Sequence, residues 1–219
     1  MEISLQQEIN KVRVVNSERR YWFLRTYSGE LYNYFLENNF VGLGFNNVPY
    51  QYIEEAQISD EATLNRLQKY IDSNSEYKKG EATKWAKQLV TFNHLVKVDD
   101  IVIIPSKSSD DLSFGIIESD TFFVKTEKTF LFNERYEPYP EKRKKVKWIK
   151  TITKLELRGE LKNMFTSRGA LSSADTYSEV IEGNLSTVYI KNDVGYLTIK
   201  VDEDEEINAF ALQEFLSSL

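Results

Sequence analysis

The sequence contains no cysteine. That removes disulfides, thiolate nucleophiles and cysteine-ligated zinc or iron–sulfur centres, and it is compatible with a cytoplasmic protein. It contains one histidine, His94. Without a second histidine, Ser-His-Asp triads and histidine-based metal sites are not expected. No apolar run approaches the ~20 residues of a membrane span. The opening stretch MEISLQQEINKVRVVNSERR lacks the apolar core of a signal peptide. There is no G-x-x-x-x-G-K-[ST] phosphate loop. A PD-(D/E)xK-like reading of Asp72, Glu76 and Lys78 fails, because the segment is a polar loop and the first spacing is too short. Positive charge is also in short supply: 28 Lys and Arg against 34 Asp and Glu give a net charge of −6. Proteins that hold nucleic acid by bulk electrostatics are basic, so any such contact must come from a local patch. No catalytic residues, metal or cofactor are expected.

Aromatics are plentiful, with 13 Tyr, 13 Phe and 3 Trp. They suit stacking sites, although in a β-rich domain most aromatics are core. The length of 219 residues fits one large domain or one domain with extensions. A domain near this size buries roughly 70% of its unfolded surface and needs no staple to fold.

The chain is organised around residues 83–107. Ala82, Trp85, Ala86, Leu89, Val90 and Phe92 recur at helical spacing, which predicts an amphipathic helix from about Glu81 to His94. A turn at Val98-Asp99-Asp100 leads into Ile101-Val102-Ile103-Ile104, a β-branched run ended by Pro105 that reads as a buried strand. This arrangement puts Trp85, Gln88, Asn93 and the Pro105, Ser106, Lys107 end near one another. An aromatic, amides, hydroxyls and a cation would then share one cleft.

Elsewhere the pattern predicts strands at 21–25, 40–45, 112–118, 121–125, 129–133 and 144–149. A helix capped by Ser28 carries Leu31, Tyr34 and Phe35, and a second helix capped by Ser59 runs to about Ile71. Residues 134–140 read as a Pro/Tyr loop, and 154–178 as polar with helical fragments around Leu161-Met164-Phe165. A hairpin joins 185–190 to 195–201 around Lys191-Asn192-Asp193. An acidic run, 202–206, precedes a short amphipathic helix with Ile207, Phe210, Ala211, Phe215 and Leu216. The fold class is α+β: a partly closed β-barrel with about three packed helices. The expected organisation is a strap at 1–20, a domain at 21–201, and an acidic linker and helix at 202–219.

The ordered motifs YWFLRTYSGELYNYF, VGLGF, KWAKQLVTFNHLVKVDDIVIIPSK, FGIIESD and VKWI resemble the PUA-like modules found N-terminal to Mrr-type restriction nucleases. More distantly they are similar to EVE and YTH domains. The likeness covers roughly residues 21–175. The turn before the central strand is Asp99-Asp100 where the family has Gly-Asp, and the 185–201 hairpin has no counterpart. The resemblance implies a PUA-like barrel whose aromatic pocket takes a modified base flipped out of nucleic acid. Extrusion costs a few kcal/mol, which stacking and edge-reading hydrogen bonds must offset. It maps that pocket onto Trp22, Arg25, Trp85, Pro105, Ser106 and Lys107.

Each of these residues has a plainer reading. Trp22 lies in an apolar strand and reads first as core. Trp85 has Leu89 and Phe92 on its side of the helix, which argues core where the resemblance argues pocket. Arg25 ends its strand and suits either a phosphate or a surface ion pair. Gln88 and Asn93 carry base-edge donors and acceptors, but such residues are commonly solvated. Lys142, Arg143, Lys144, Lys145 and Lys147, followed by Lys150, form the one basic cluster. They suit a phosphate backbone, or a lysine-guarded edge strand.

The expected function is a recognition module for a modified, flipped base in DNA, the sensor part of a prokaryotic restriction or anti-phage protein, with nuclease activity in a fused or partner domain. The alternative is a sensor of a free cyclic nucleotide messenger. Dimerisation through the terminal helix is a further expectation, and no membrane contact is expected.

Overall fold

The computed structural model describes residues 12–74, 81–153, 156, 159–167 and 169–198. The expected acidic run and terminal helix at 202–219 lie outside the described residues, as do residues 1–11 of the expected strap. In chain order the chain forms β1 (Arg13–Val15), β2 (Tyr21–Leu24), α1 (Tyr32–Asn38), β3 (Phe40–Leu43), α2 (Tyr50–Glu55), α3 (Glu61–Asn74) and α4 (Ala82–Val90). After α4 come one π-helical turn (Thr91–Leu95), β4 (Ile101–Pro105), β5 (Asp111–Ile117), β6 (Phe122–Phe123), β7 (Thr129–Phe132) and β8 (Arg135–Pro138). The last described elements are β9 (Lys142–Thr153), a 3-10 helix (Gly159–Thr166), β10 (Leu171–Ser173), α5 (Ser178–Leu185), β11 (Val188–Lys191) and β12 (Val194–Leu197).

Two compact units divide the chain: residues 18–181, and residues 1–17 with 182–219. In the second unit, β1 pairs in parallel with β11, and β11 pairs antiparallel with β12. The β11–β12 turn is made by Asn192 and Asp193, both at positive φ. That geometry is the two-residue turn whose twist suits a hairpin.

The larger unit is a mixed α and β body built on one sheet that curls into a half-barrel. Its strand order is β10-β2-β4-β5-β9-β3, with β6 also paired to β9. Only β2 and β4 run parallel among these pairs. Both are buried along their whole length, which is why they read as continuous apolar runs rather than as alternations. Trp22, Leu24, Leu31, Phe35, Val41, Phe92, Val102, Ile104 and Val146 belong to the sheet's core. A separate helical core gathers Ile53, Leu64, Leu67, Ile71, Ala86, Leu89 and Val90 from α2, α3 and α4.

Several boundaries differ from expectation for local reasons. Ser28 does not cap α1: it sits at φ 56, between Tyr27 at φ 53 and Gly29 at φ 96, inside a left-handed turn. The cap of α3 is Asp60 rather than Ser59, since its carboxylate accepts the N–H groups of Ala62 and Thr63. The segment read as a Pro/Tyr loop contains β8, hydrogen-bonded to β7 through a turn at Asn133 and Glu134, both at positive φ. Five α-helices are described where about three were expected. The extra pair, α2 and α5, is short, at six and eight residues.

Candidate ligand-binding surfaces

Asp100 anchors the start of β4. Its Oδ2 accepts the Trp22 indole N–H at 2.8 Å and the Lys97 N–H at 2.8 Å, while Oδ1 accepts the Arg20 N–H at 3.0 Å. Asp99, one residue earlier, lies at φ 78 and pairs with Arg19 at 2.6 Å. A left-handed position favours glycine but tolerates aspartate. Trp22 is therefore a core residue, 2% exposed, with the Arg20 guanidinium 4.4 Å over its ring.

The other expected pocket residues fall into three groups. Arg25 is exposed and donates from its guanidinium to the carbonyls of Phe165 and Ser167, and its N–H donates to Ala170 O. Gln88 is buried, and its Oε1 accepts the N–H groups of Ala170 and Leu171. These two residues thus meet at the segment 165–171. Pro105, Ser106 and Lys107 meet the turn after β2. The Thr26 hydroxyl donates to Pro105 O at 2.6 Å, and Lys107 Nζ lies 3.1 Å from Glu30. Ser106 Oγ accepts the Asp111 N–H and closes the β4–β5 connection. Trp85 and Asn93 belong to the helical layer. Trp85 is half-buried, its ring 4.9 Å from Phe45 and 4.6 Å from Lys84 Nζ. Asn93 sits on the π-helical turn, Nδ2 3.2 Å from His94 Nε2.

The turn carrying Gly29 packs so tightly on the Lys107 backbone that a Cβ there would overlap it. At φ 96 the position is also strained for any L side chain. Gly29→Ala is expected to lower stability by roughly 2 kcal/mol or more, read as a drop in the urea midpoint.

The basic cluster occupies β9, whose first half lies between β3 and β6 and whose second half, from Val146, pairs with β5. Lys142, Arg143 and Lys144 are consequently buried. Lys142 Nζ donates to Phe45 O at 2.7 Å, and Arg143 Nε donates to Pro140 O at 2.7 Å beneath a guanidinium 4.3 Å over Phe40. Lys144 is fully buried; its Nζ has no hydrogen-bond acceptor and lies 5.7 Å from the Phe92 ring. Burial pushes the pKa of both lysines down to about 8.

Lys145, Lys147 and Lys150 are exposed. Side chains alternate along a strand, so Arg143, Lys145 and Lys147 share one face. Lys150 would fall on the opposite face, but β9 contains a bulge. Gly115 pairs with Trp148 and Phe114 with Lys150, leaving Ile149 unmatched. The extra residue returns Lys150 to the face of Lys147. Lys145, Lys147 and Lys150 thus form an exposed lysine row on one face of β9.

At one end of that row lies a recess of about 300 Å³ lined by Asn38, Asn39, Phe40, Phe122, Arg143 and Lys145. Sequence reasoning missed Asn38, Asn39, Phe40 and Phe122. Only the pairing of β9 with both β3 and β6 brings them together, Phe40 opposite Lys145 and Phe122 opposite Arg143.

The sequence model of the family DUF8426, a domain of unknown function, matches residues 22–171. This chain belongs to the DUF8426 family. The DUF8426 match runs from β2 into β10 and so contains the lysine row and the recess. No curated protein matches the chain. Among the described residues no helix is long and apolar enough to cross a membrane, and no three His, Asp or Glu side chains gather as a metal-ligand set.

Proposed function

We propose that this protein is a nucleic-acid recognition module, reading a modified base as the sensor part of a prokaryotic restriction or anti-phage system. The observation that carries the nucleic-acid part is the lysine row. In a chain of net charge −6, three exposed lysines share one face of β9, the third, Lys150, brought there by a bulge. Alternate strand residues lie roughly 6.6 Å apart, a repeat that suits successive phosphates of an extended strand. The modified base and the restriction setting rest on the PUA-like resemblance of the ordered motifs. In this reading cleavage belongs to a fused or partner nuclease.

The test is binding of the purified chain to matched oligonucleotides, unmodified or carrying methylcytosine, hydroxymethylcytosine or methyladenine, at several salt concentrations. Preference for one modification is the expected result. The double variant Lys147→Ala/Lys150→Ala is expected to flatten the slope of log K against log salt by roughly 1.5, since each phosphate contact contributes nearly one unit. An unchanged slope would remove the lysine row from the interface. A free-nucleotide sensor would need no lysine row, and its binding would ignore the double variant.

A further inference from the structure

We infer that the recess at the end of the lysine row is the seat of a single nucleotide, its phosphate on Arg143 and Lys145 and its base against Phe122. This assignment rests on the nucleic-acid reading of the adjoining surface, and it uses residues outside the pocket that the motifs suggested.

The chemistry of the wall selects the ligand. Six residues line the recess and none is acidic, in a chain with 34 Asp and Glu. Arg143 is 8% exposed, and its guanidinium is oriented twice, by Nε donating to Pro140 O and by stacking on Phe40. Among the described residues Nε alone of its nitrogens has a hydrogen-bond partner, and neither Arg143 nor Lys145 is paired with a carboxylate. A pre-oriented guanidinium binds phosphate oxygens well, because little side-chain freedom remains to be lost. Lys145 adds an exposed ammonium at the lip. Its backbone is fixed, with the N–H donated to Ser119 Oγ at 2.9 Å.

The remaining wall suits a planar ring. Phe122 is half-buried and stands opposite Arg143 in the strand register. Asn38 donates from Nδ2 to Tyr34 O, which leaves its amide oxygen to accept from a base edge. Asn39 follows at φ 53, the left-handed residue that ends α1 and turns the chain into β3. A volume near 300 Å³ is at the small end of ligand sites and suits one nucleotide rather than a dinucleotide. The nucleotide seated here is the first of a strand that continues over Lys147 and Lys150.

The experiment titrates nucleoside 5′-monophosphates and the matching nucleosides into the full chain, following the side-chain amide signals of Asn38 and Asn39 by NMR. The monophosphate is expected to shift both signals, and the nucleoside to bind at least about tenfold more weakly. Phe122→Ala and Arg143→Gln are each expected to weaken monophosphate binding about fivefold or more. Lys145→Ala, at an exposed position, supplies the same loss without a folding risk. Monophosphate binding that all three variants retain overturns the assignment. So does a wild-type chain that binds oligonucleotides with a Lys147/Lys150-dependent salt slope but no monophosphate, an outcome that leaves the lysine-row reading standing. Binding of neither ligand overturns both.

Discussion

Replacing Asp100 with alanine is expected to lower the thermal midpoint of this protein by roughly 10 °C. The carboxylate is 4% exposed and accepts three N–H donors, from Trp22, Lys97 and Arg20. Its removal leaves those donors without an acceptor in a place that water reaches poorly. Each such orphan costs about 1–3 kcal/mol, and partial relaxation brings the sum to roughly 3–5 kcal/mol. For a chain of this size each kcal/mol moves the midpoint by about 2–4 °C. Asp100→Asn is expected to recover only part of the loss, because an amide offers one acceptor oxygen and turns a donor toward other donors. The check is paired thermal unfolding with near-ultraviolet circular dichroism, which reports the Trp22 environment. A midpoint within a degree or two of wild type would show that the turn, not the carboxylate, holds β2 against β4.

The opposite sign is expected for Lys144→Met. Lys144 occupies a fully buried place with no acceptor for its ammonium, and its pKa falls from 10.5 to about 8 through burial. At neutral pH the folded protein carries that charge at a cost of roughly 3 kcal/mol. Methionine keeps the reach of the side chain and removes the charge, so stability at pH 7 is expected to rise by about that amount, or roughly 6–12 °C in midpoint. The effect depends on pH in a defined direction. Between about pH 8 and pH 10.5 the unfolded chain holds a proton that the folded chain has released, so wild-type stability rises with pH across that window. Lys142, also lowered to about 8 by burial, adds to the same trend. The advantage of Lys144→Met is therefore expected to shrink above pH 8 and to be nearly gone by pH 10.5. Denaturant melts of both proteins at pH 7 and pH 9.5 measure this. A variant less stable than wild type at pH 7 would mean that the ammonium has an acceptor in solution.

Lys144 also shows what the sequence could and could not say. EKRKKVKWIK was legible as a strand, and the alternation of exposed Lys145 and Lys147 with buried Val146 held. Charge alone suggested that Lys142, Arg143 and Lys144 were solvated as well. Their burial follows from partners distant in sequence, β3 on one side and β6 on the other, and no local pattern carries that information. The same limit hid the recess, whose walls come from α1, β3, β6 and β9. The helix through Trp85, by contrast, was read from its spacing, and only its change to a π turn at Thr91 went unseen. That single wider turn adds no apolar signature of its own. The Asp99-Asp100 turn was likewise legible as a turn, whereas the three donors that converge on Asp100 come from residues 20, 22 and 97.

The place of β2 in the sheet bears on how the chain is made. β2 leaves the ribosome well before its neighbours, β4, where Trp22 meets Val102, and β10, where Trp22 meets Ser173. Until both have been synthesised, a wholly apolar strand waits with two open edges, a state prone to pairing with the wrong chain. Loop closure over such separations slows folding relative to local pairing. On one side the Asp100 carboxylate ties β2 to the turn before β4 through Trp22 and Arg20. On the other side Asp175 does the same, accepting the Tyr21 N–H at 2.8 Å just beyond β10.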